Sequence, residues 1–274
     1  MSLVVLTSAS GSPGVTTTAL GLALTWHRPC VLVEADPTGG SAVAAGYLRG
    51  QVVPPESMIE LAVAQQEGRS LLDALAQHTI DLPGTDARFV PGTRSHDQAR
   101  SLVGLWEPLA AALRSLEDTG QDVIVDAGRL GLLGSPEQVL EAADLALLVI
   151  RNDLVALSAA RSWAETLHDR FDGAGAGNAL GVLLVGDGGP FGAREVARVL
   201  ALPVVATVAR DPAHAAVLSH GAPPPRAGSW QRLAGRSGWD DSTWLRSIRA
   251  TASAITGTIR ATDARLDPAR GGQR

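Results

Sequence analysis

The stretch LVVLTSASGSPGVTTTALGLALTW, residues 3–26, decides how the rest of the chain is read. Its opening run, Leu3 to Leu6, is aliphatic and β-branched without interruption, the pattern of a strand buried on both faces. Small residues follow, Ser8-Ala9-Ser10-Gly11-Ser12-Pro13-Gly14, and read as a turn. Thr16-Thr17-Thr18 then lead into an alanine- and leucine-rich helix expected to end near Trp26. Strand, glycine turn and helix in that order aim backbone N–H groups and the positive end of a helix dipole at one point. That point suits an anion, most often a phosphate.

A phosphate-binding P-loop reads G-x-x-x-x-G-K-[ST]. In that register Ala9 takes the first glycine position, Gly14 the second, and Thr16 the magnesium-binding hydroxyl position. Val15 stands where the lysine belongs. The backbone cradle is present and its main charge is missing. A tight turn holding no ligand is the competing reading, and Val15 favours a degenerate site over an active one.

With 274 residues and 45% hydrophobic content, the chain can bury a substantial core. No apolar run of about 18 residues signals a membrane span, and the N-terminus lacks the pattern of a secretory signal. The single cysteine, Cys30, falls in an apparent buried strand with no disulfide partner in the chain. The expected location is the cytoplasm, with peripheral attachment at a membrane as a variant. All 23 basic residues are arginine, so no lysine of this chain can reach a phosphate. Charge is also unevenly spread. Residues 1–221 hold 14 Arg against 24 acids, net −10, whereas residues 222–274 hold 9 Arg against 4 acids, net +5. A basic end on an acidic body suggests an acidic protein, an anionic membrane surface or nucleic acid as partner.

Taken in order, Cys30 to Glu34 is a second buried strand, ending in Glu34-Ala35-Asp36-Pro37. Helices are expected near 41–49, 57–66 and 70–78, and a short strand at Arg88 to Pro91. Leu102, Leu105, Leu109 and Leu113 predict one amphipathic helix over 96–117. Asp122 to Asp126 is the next buried strand, again closing on a carboxylate. Further strands are predicted at Leu145 to Ile150, Asn178 to Val185 and Pro203 to Val208, with helices over 153–171, 192–201 and 212–219. This alternation predicts an α/β fold: a doubly wound, mainly parallel sheet in a three-layer sandwich. We divide the chain into an α/β domain over 1–220, a Pro/Gly/Arg-rich loop over 221–241, a helix of the same domain over 242–262, and a tail over 263–274. The last helix carries Trp244, Ile248, Ala252, Ile255 and Ile259 on one seam, which either packs on the sheet or faces a membrane or partner. Trp230 and Trp239, in the loop, are candidates for a partner-binding patch.

These residues together resemble the ParA/MinD family of deviant-Walker P-loop ATPases. The family pattern K-G-G-x-G-K-T-T falls on Ser10-Gly11-Ser12-Pro13-Gly14-Val15-Thr16-Thr17. The switch pattern D-x-D-P-x-G looks like Glu34-Ala35-Asp36-Pro37-Thr38-Gly39, and the Walker B strand looks like Asp122 to Asp126. Leu202 to Pro212 resembles the late strand and base-side loop, so the likeness runs over roughly residues 1–220. It implies that Gly11, Ser12, Gly14, Val15, Thr16 and Thr17 surround a nucleotide. It also implies that Thr16 and Asp126 hold magnesium, and that Asp36 orients magnesium or the attacking water. The implied cofactors are ATP or ADP with Mg2+. The implied partners are a larger cellular assembly (pilus, secretion, division or partition machinery) and a second copy of the chain.

Two departures set the expectation for activity. Both family lysines are lost, to Val15 and Ser10, and the adenine-reading Asn gives way to Val185-Gly186-Asp187. One charge-assisted hydrogen bond is worth about 1.5–3 kcal/mol, so one missing lysine weakens binding by ~10- to 100-fold. Loss of a donor to transition-state charge costs a further ~10²–10³ in rate. The expectation is therefore a regulatory or positioning protein with weak or absent ATPase activity. A slow ATPase using arginine or a partner's cation is the alternative within the fold; Arg129 and Arg151 are the candidate cations. An NAD(P)-binding oxidoreductase, with Glu34 on a ribose, is the alternative outside it.

Overall fold

Eight strands form one sheet in a computed structural model, which describes residues 2–10, 12–53, 55–225 and 238–266. They are β1 (Leu3–Ser8), β2 (Cys30–Glu34), β3 (Ile80–Asp81), β4 (Ala87–Val90), β5 (Asp122–Arg129), β6 (Leu145–Arg151), β7 (Leu180–Val185) and β8 (Val204–Val208). Their order is β3-β4-β2-β5-β1-β6-β7-β8, and every pairing is parallel except that of β3 with β4. This arrangement accounts for the uninterrupted apolar runs: β1, β2, β5 and β6 are covered on both faces and nearly every residue is buried.

Helices α1 (Val15–Thr25), α2 (Ser57–Gln66), α3 (Leu71–Gln77), α4 (Trp106–Ser115), α5 (Glu137–Glu141), α6 (Leu154–Gly173), α7 (Ala193–Leu200), α8 (Pro212–Ser219) and α9 (Thr243–Leu266) fill the two outer layers. One apolar cluster joins the sheet to α2 through α7, and a second joins the other face to α1, α8 and α9. The chain leaves β1 toward β2 on one side, and later crosses from β5 over β1 to β6 on the other. The carboxyl ends of β5, β1 and β6 therefore bound the crevice where ligands bind in open α/β sheets.

The single helix predicted over 96–117 is instead three pieces. A 3-10 segment, His96–Leu102, is followed by α4 and a second 3-10 segment, Leu116–Thr119. Leu102, Leu105, Leu109 and Leu113 are all buried, so the apolar face is as read while the backbone turns at Val103-Gly104. The antiparallel two-residue β3 and the five-residue α5 went unpredicted.

The terminal helix takes the first of its two expected roles. Trp244, Ile248, Ala252, Ile255 and Ile259 are buried in the second cluster, against α1 and the sheet. Gly21 of α1 lets this happen: a Cβ there would lie 2.8 Å from the Trp244 ring. Among the described residues no helix is long and apolar enough to cross a membrane. Gly11 and Trp230 lie outside the described residues.

Candidate functional site

The turn between β1 and α1 is built on left-handed residues. Gly14 begins α1 at φ 96°, a left-handed conformation that suits glycine. Ser12 is also left-handed at φ 53°, although it carries a side chain at a position where the family pattern has glycine. The loop carbonyl that results is not left free: Arg151, the last residue of β6, donates from Nη2 to the Ser12 carbonyl at 2.7 Å.

Val15 is 6% exposed and belongs to the apolar cluster beneath α1. Its side chain adds to the core and contributes no charge to the crevice. Thr16, one position on, faces β5. Asp126 there is 1% exposed; its Oδ1 accepts from the Gly128 N–H at 3.0 Å, while its Oδ2 has no hydrogen-bond partner. Burial pushes the Asp126 carboxyl up to about 6, against the lowering influence of the Thr16 hydroxyl and the Gly128 N–H. A buried carboxylate oxygen without a donor is costly unless something outside the chain satisfies it.

Two more carboxylates meet this point. Glu34 is the register partner of Asp126 across β2 and β5, and the Ala35 N–H donates to the Asp126 carbonyl at 2.8 Å. Asp36 lies over Gly128, whose left-handed φ of 62° and missing Cβ leave room for the carboxylate; any Cβ there would overlap it. Asp36 Oδ1 also accepts from the Thr38 N–H at 2.9 Å, which fixes the turn. Glu34 is 4% exposed and accepts from the Gly92 N–H at 3.2 Å. Burial pushes its carboxyl up to about 7, with Ser41 and the backbone opposing and the Asp126 charge adding to the rise. Glu34 does not line the cavity described next, so it is not placed to read a ribose there.

Beside the loop lies a cavity of about 490 Å³ lined by Pro13, Gly14 and Thr17 on one side and by segments 185–190 and 208–212 on the other. That volume is within the range of small-molecule and cofactor sites. Arg151, Asn152 and Asp153, at and just beyond the end of β6, form its near wall, and Trp244 contributes from α9. Asn152 binds the 186–191 loop in place, donating to the Gly186 and Phe191 carbonyls and accepting from the Phe191 N–H. Asp153 caps α6 by accepting from Ala156 at 2.8 Å. The structure thus brings Ser12, Gly14, Thr16, Thr17, Asp36 and Asp126 to one edge, with Val15 turned away into the core. Of the two candidate cations, Arg151 lines the cavity, and Arg129 does not. Asn152, Arg210 and Trp244 were missed. Asn152 and Arg210 had one readable signal: each falls just past a predicted strand at its carboxyl end.

Among the described residues no group of three or more His, Cys, Asp or Glu side chains is placed to hold a metal ion by itself. One hydroxyl and one buried carboxylate are a donor set that suits magnesium, which takes few protein ligands and completes its shell with phosphate and water. The unpartnered Asp126 oxygen beside Thr16 fits that ion.

No protein-family model matches the chain, and no curated protein matches it. Solved structures do match. The cell division ATPase MinD of Pyrococcus furiosus superposes with a TM-score of 0.66 at 18% identity, over 94% of this chain and 99% of that one. The chain has the MinD/ParA fold. Septum site-determining MinD of Pyrococcus horikoshii, complexed with Mg-ADP, gives a TM-score of 0.64 at 17% identity, over 93% and 96% of the two chains. A ParA family ATPase of Chlorobium tepidum gives 0.64 at 16% identity, over 92% and 97%. The MinD/ParA likeness therefore spans nearly the full length of both partners, including α9, beyond the 1–220 region where motifs had suggested it.

Proposed function

We propose that this protein is a positioning or recruiting factor on the MinD/ParA fold that binds a nucleoside phosphate with magnesium and hydrolyses it slowly or not at all. The observation that carries this reading is the divided state of the site. On one side Thr16 stands beside a fully buried Asp126 whose Oδ2 lacks a partner, which supports a metal ion there. On the other, Val15 is packed in the core at the position where the P-loop pattern has lysine. Thr16 and Asp126 would hold magnesium, which when bound supplies positive charge to phosphate oxygens. Gly14 and the first turn of α1 present N–H groups to the phosphates, and the neighbouring cavity receives the rest of the nucleotide. Asp36, held over Gly128, orients a water. A lysine to bear developing negative charge is absent, and so turnover is slow.

Binding to an assembly, and not turnover, is then the output. Leu133, Leu154 and Val155 are 65%, 70% and 79% exposed, on the loop after β5 and at the start of α6. This apolar edge is our candidate surface for the protein that is recruited. Calorimetry with ATP, ADP and GTP, each with and without magnesium, tests the reading. Weak, magnesium-dependent binding is expected. Turnover at ordinary ATPase rates, or no binding by any of the three, would overturn it.

A further inference from the structure

We infer that Arg151 is the phosphate-binding cation of this site, taking over from β6 the charge that the P-loop position has lost. The inference rests on the nucleotide reading above and goes beyond it by naming the residue that carries affinity. Four observations support it. Arg151 ends β6, which pairs with β1 as far as Thr7 and Leu148, so it emerges beyond the last paired position, beside the turn that β1 feeds. Its Nη2 already touches the loop, at the Ser12 carbonyl, 139 residues away in sequence. It lines the same cavity as Pro13, Gly14 and Thr17. Its charge is uncommitted: among the described residues no carboxylate forms an ion pair with it.

The acids near it are otherwise engaged. Asp153 caps α6, Asp187 accepts from the Arg210 N–H at 3.1 Å, and Asp211 Oδ2 lies 2.6 Å from His214 Nδ1. A guanidinium has five N–H donors in a planar fork, so one bond to a carbonyl leaves four for phosphate oxygens. Arg210 lines the cavity too, yet it follows β8, three strands from β1 and so roughly 14 Å away across the sheet. Of the two arginines that line the cavity, Arg151 is the one in contact with the turn. The lone contact with Ser12 could be a brace for a left-handed residue, and the experiment must separate brace from ligand.

Calorimetry with MgADP and with inorganic pyrophosphate, on the full chain, makes that separation. Arg151→Gln keeps an N–H for the Ser12 carbonyl and removes the charge; the site is exposed, so the fold should hold. The expected result is a loss of MgADP affinity of about tenfold or more, a flatter dependence on salt, and an unchanged melting temperature. Val15→Lys in the Arg151→Gln background should recover much of the loss. Unchanged MgADP affinity in Arg151→Gln overturns the inference and leaves the nucleotide reading standing. A loss accompanied by a lower melting temperature reduces Arg151 to a brace and overturns it as well. Pyrophosphate bound through Arg151 without any binding of MgADP would uphold the cation and overturn the nucleotide. Failure of the native protein to bind either probe overturns both.

Discussion

At the scale of single residues, the side chain at position 15 has two consequences. Val15 brings no charge to the crevice and adds a buried side chain to the cluster that holds α1 against the sheet. Val15→Lys therefore has to thread four methylenes past apolar neighbours before its ammonium reaches the crevice. We expect magnesium-dependent ATP affinity to rise about tenfold or more, with lower thermal stability and still slow hydrolysis. A folded variant with no gain in titration would mean that Pro13 and Ser12 have closed the turn. These residues show what a motif can and cannot convey. That Gly14, Thr16, Asp36 and Asp126 would meet at one edge was readable because their spacing follows strand ends, and strand ends follow apolar runs. The reach of Arg151 to Ser12 was not readable, since it depends on β6 lying next to β1. Nor could spacing show that Asp126 keeps an oxygen without a donor.

Among elements, α9 carries the clearest energetic claim. Trp244 is 3% exposed, meets α1 at Gly21, and also forms part of the cavity wall. Trp244→Ala should cost about 3–5 kcal/mol in urea unfolding, the usual range for emptying a large aromatic site. It should weaken nucleotide binding as well, because α1 begins at the P-loop. A cost below about 1 kcal/mol would show that α9 is only loosely docked. The seam of this helix was evident from spacing. So were the buried parallel strands, because an apolar run of five or six residues between turns is too short for a core helix. Short or broken elements were not. A five-residue helix such as α5 gives no period to detect. In the 96–117 region the leucines keep helical spacing while Ser95 and Gln98 form a capping box that starts a separate 3-10 segment.

For the whole molecule, Glu34 and Asp126 link stability to pH. Their folded-state values of about 7 and about 6 stand above the ordinary carboxylate range. The folded chain thus holds these protons more tightly than the unfolded chain, and stability falls as pH rises from about 4.5 through 7. Without ligand, the melting temperature should be higher at pH 5 than at pH 8, and Glu34→Gln should flatten the slope. A melting temperature that climbs over this range would refute the assignment. Magnesium and nucleotide should restore most stability on the alkaline side, where the Asp126 carboxylate is charged. The sole thiol offers a way to follow all of this without any turnover. Cys30, at the start of β2, is 2% exposed, and burial pushes its thiol up to about 12. An alkylating reagent in neutral solution can reach that sulfur only when the sheet opens. The labelling rate is then a clock for unfolding, and anything that binds the folded state slows it by the factor 1 + [L]/Kd when opening is fast and reversible. Whatever its turnover, the site can be titrated by how long one sulfur survives.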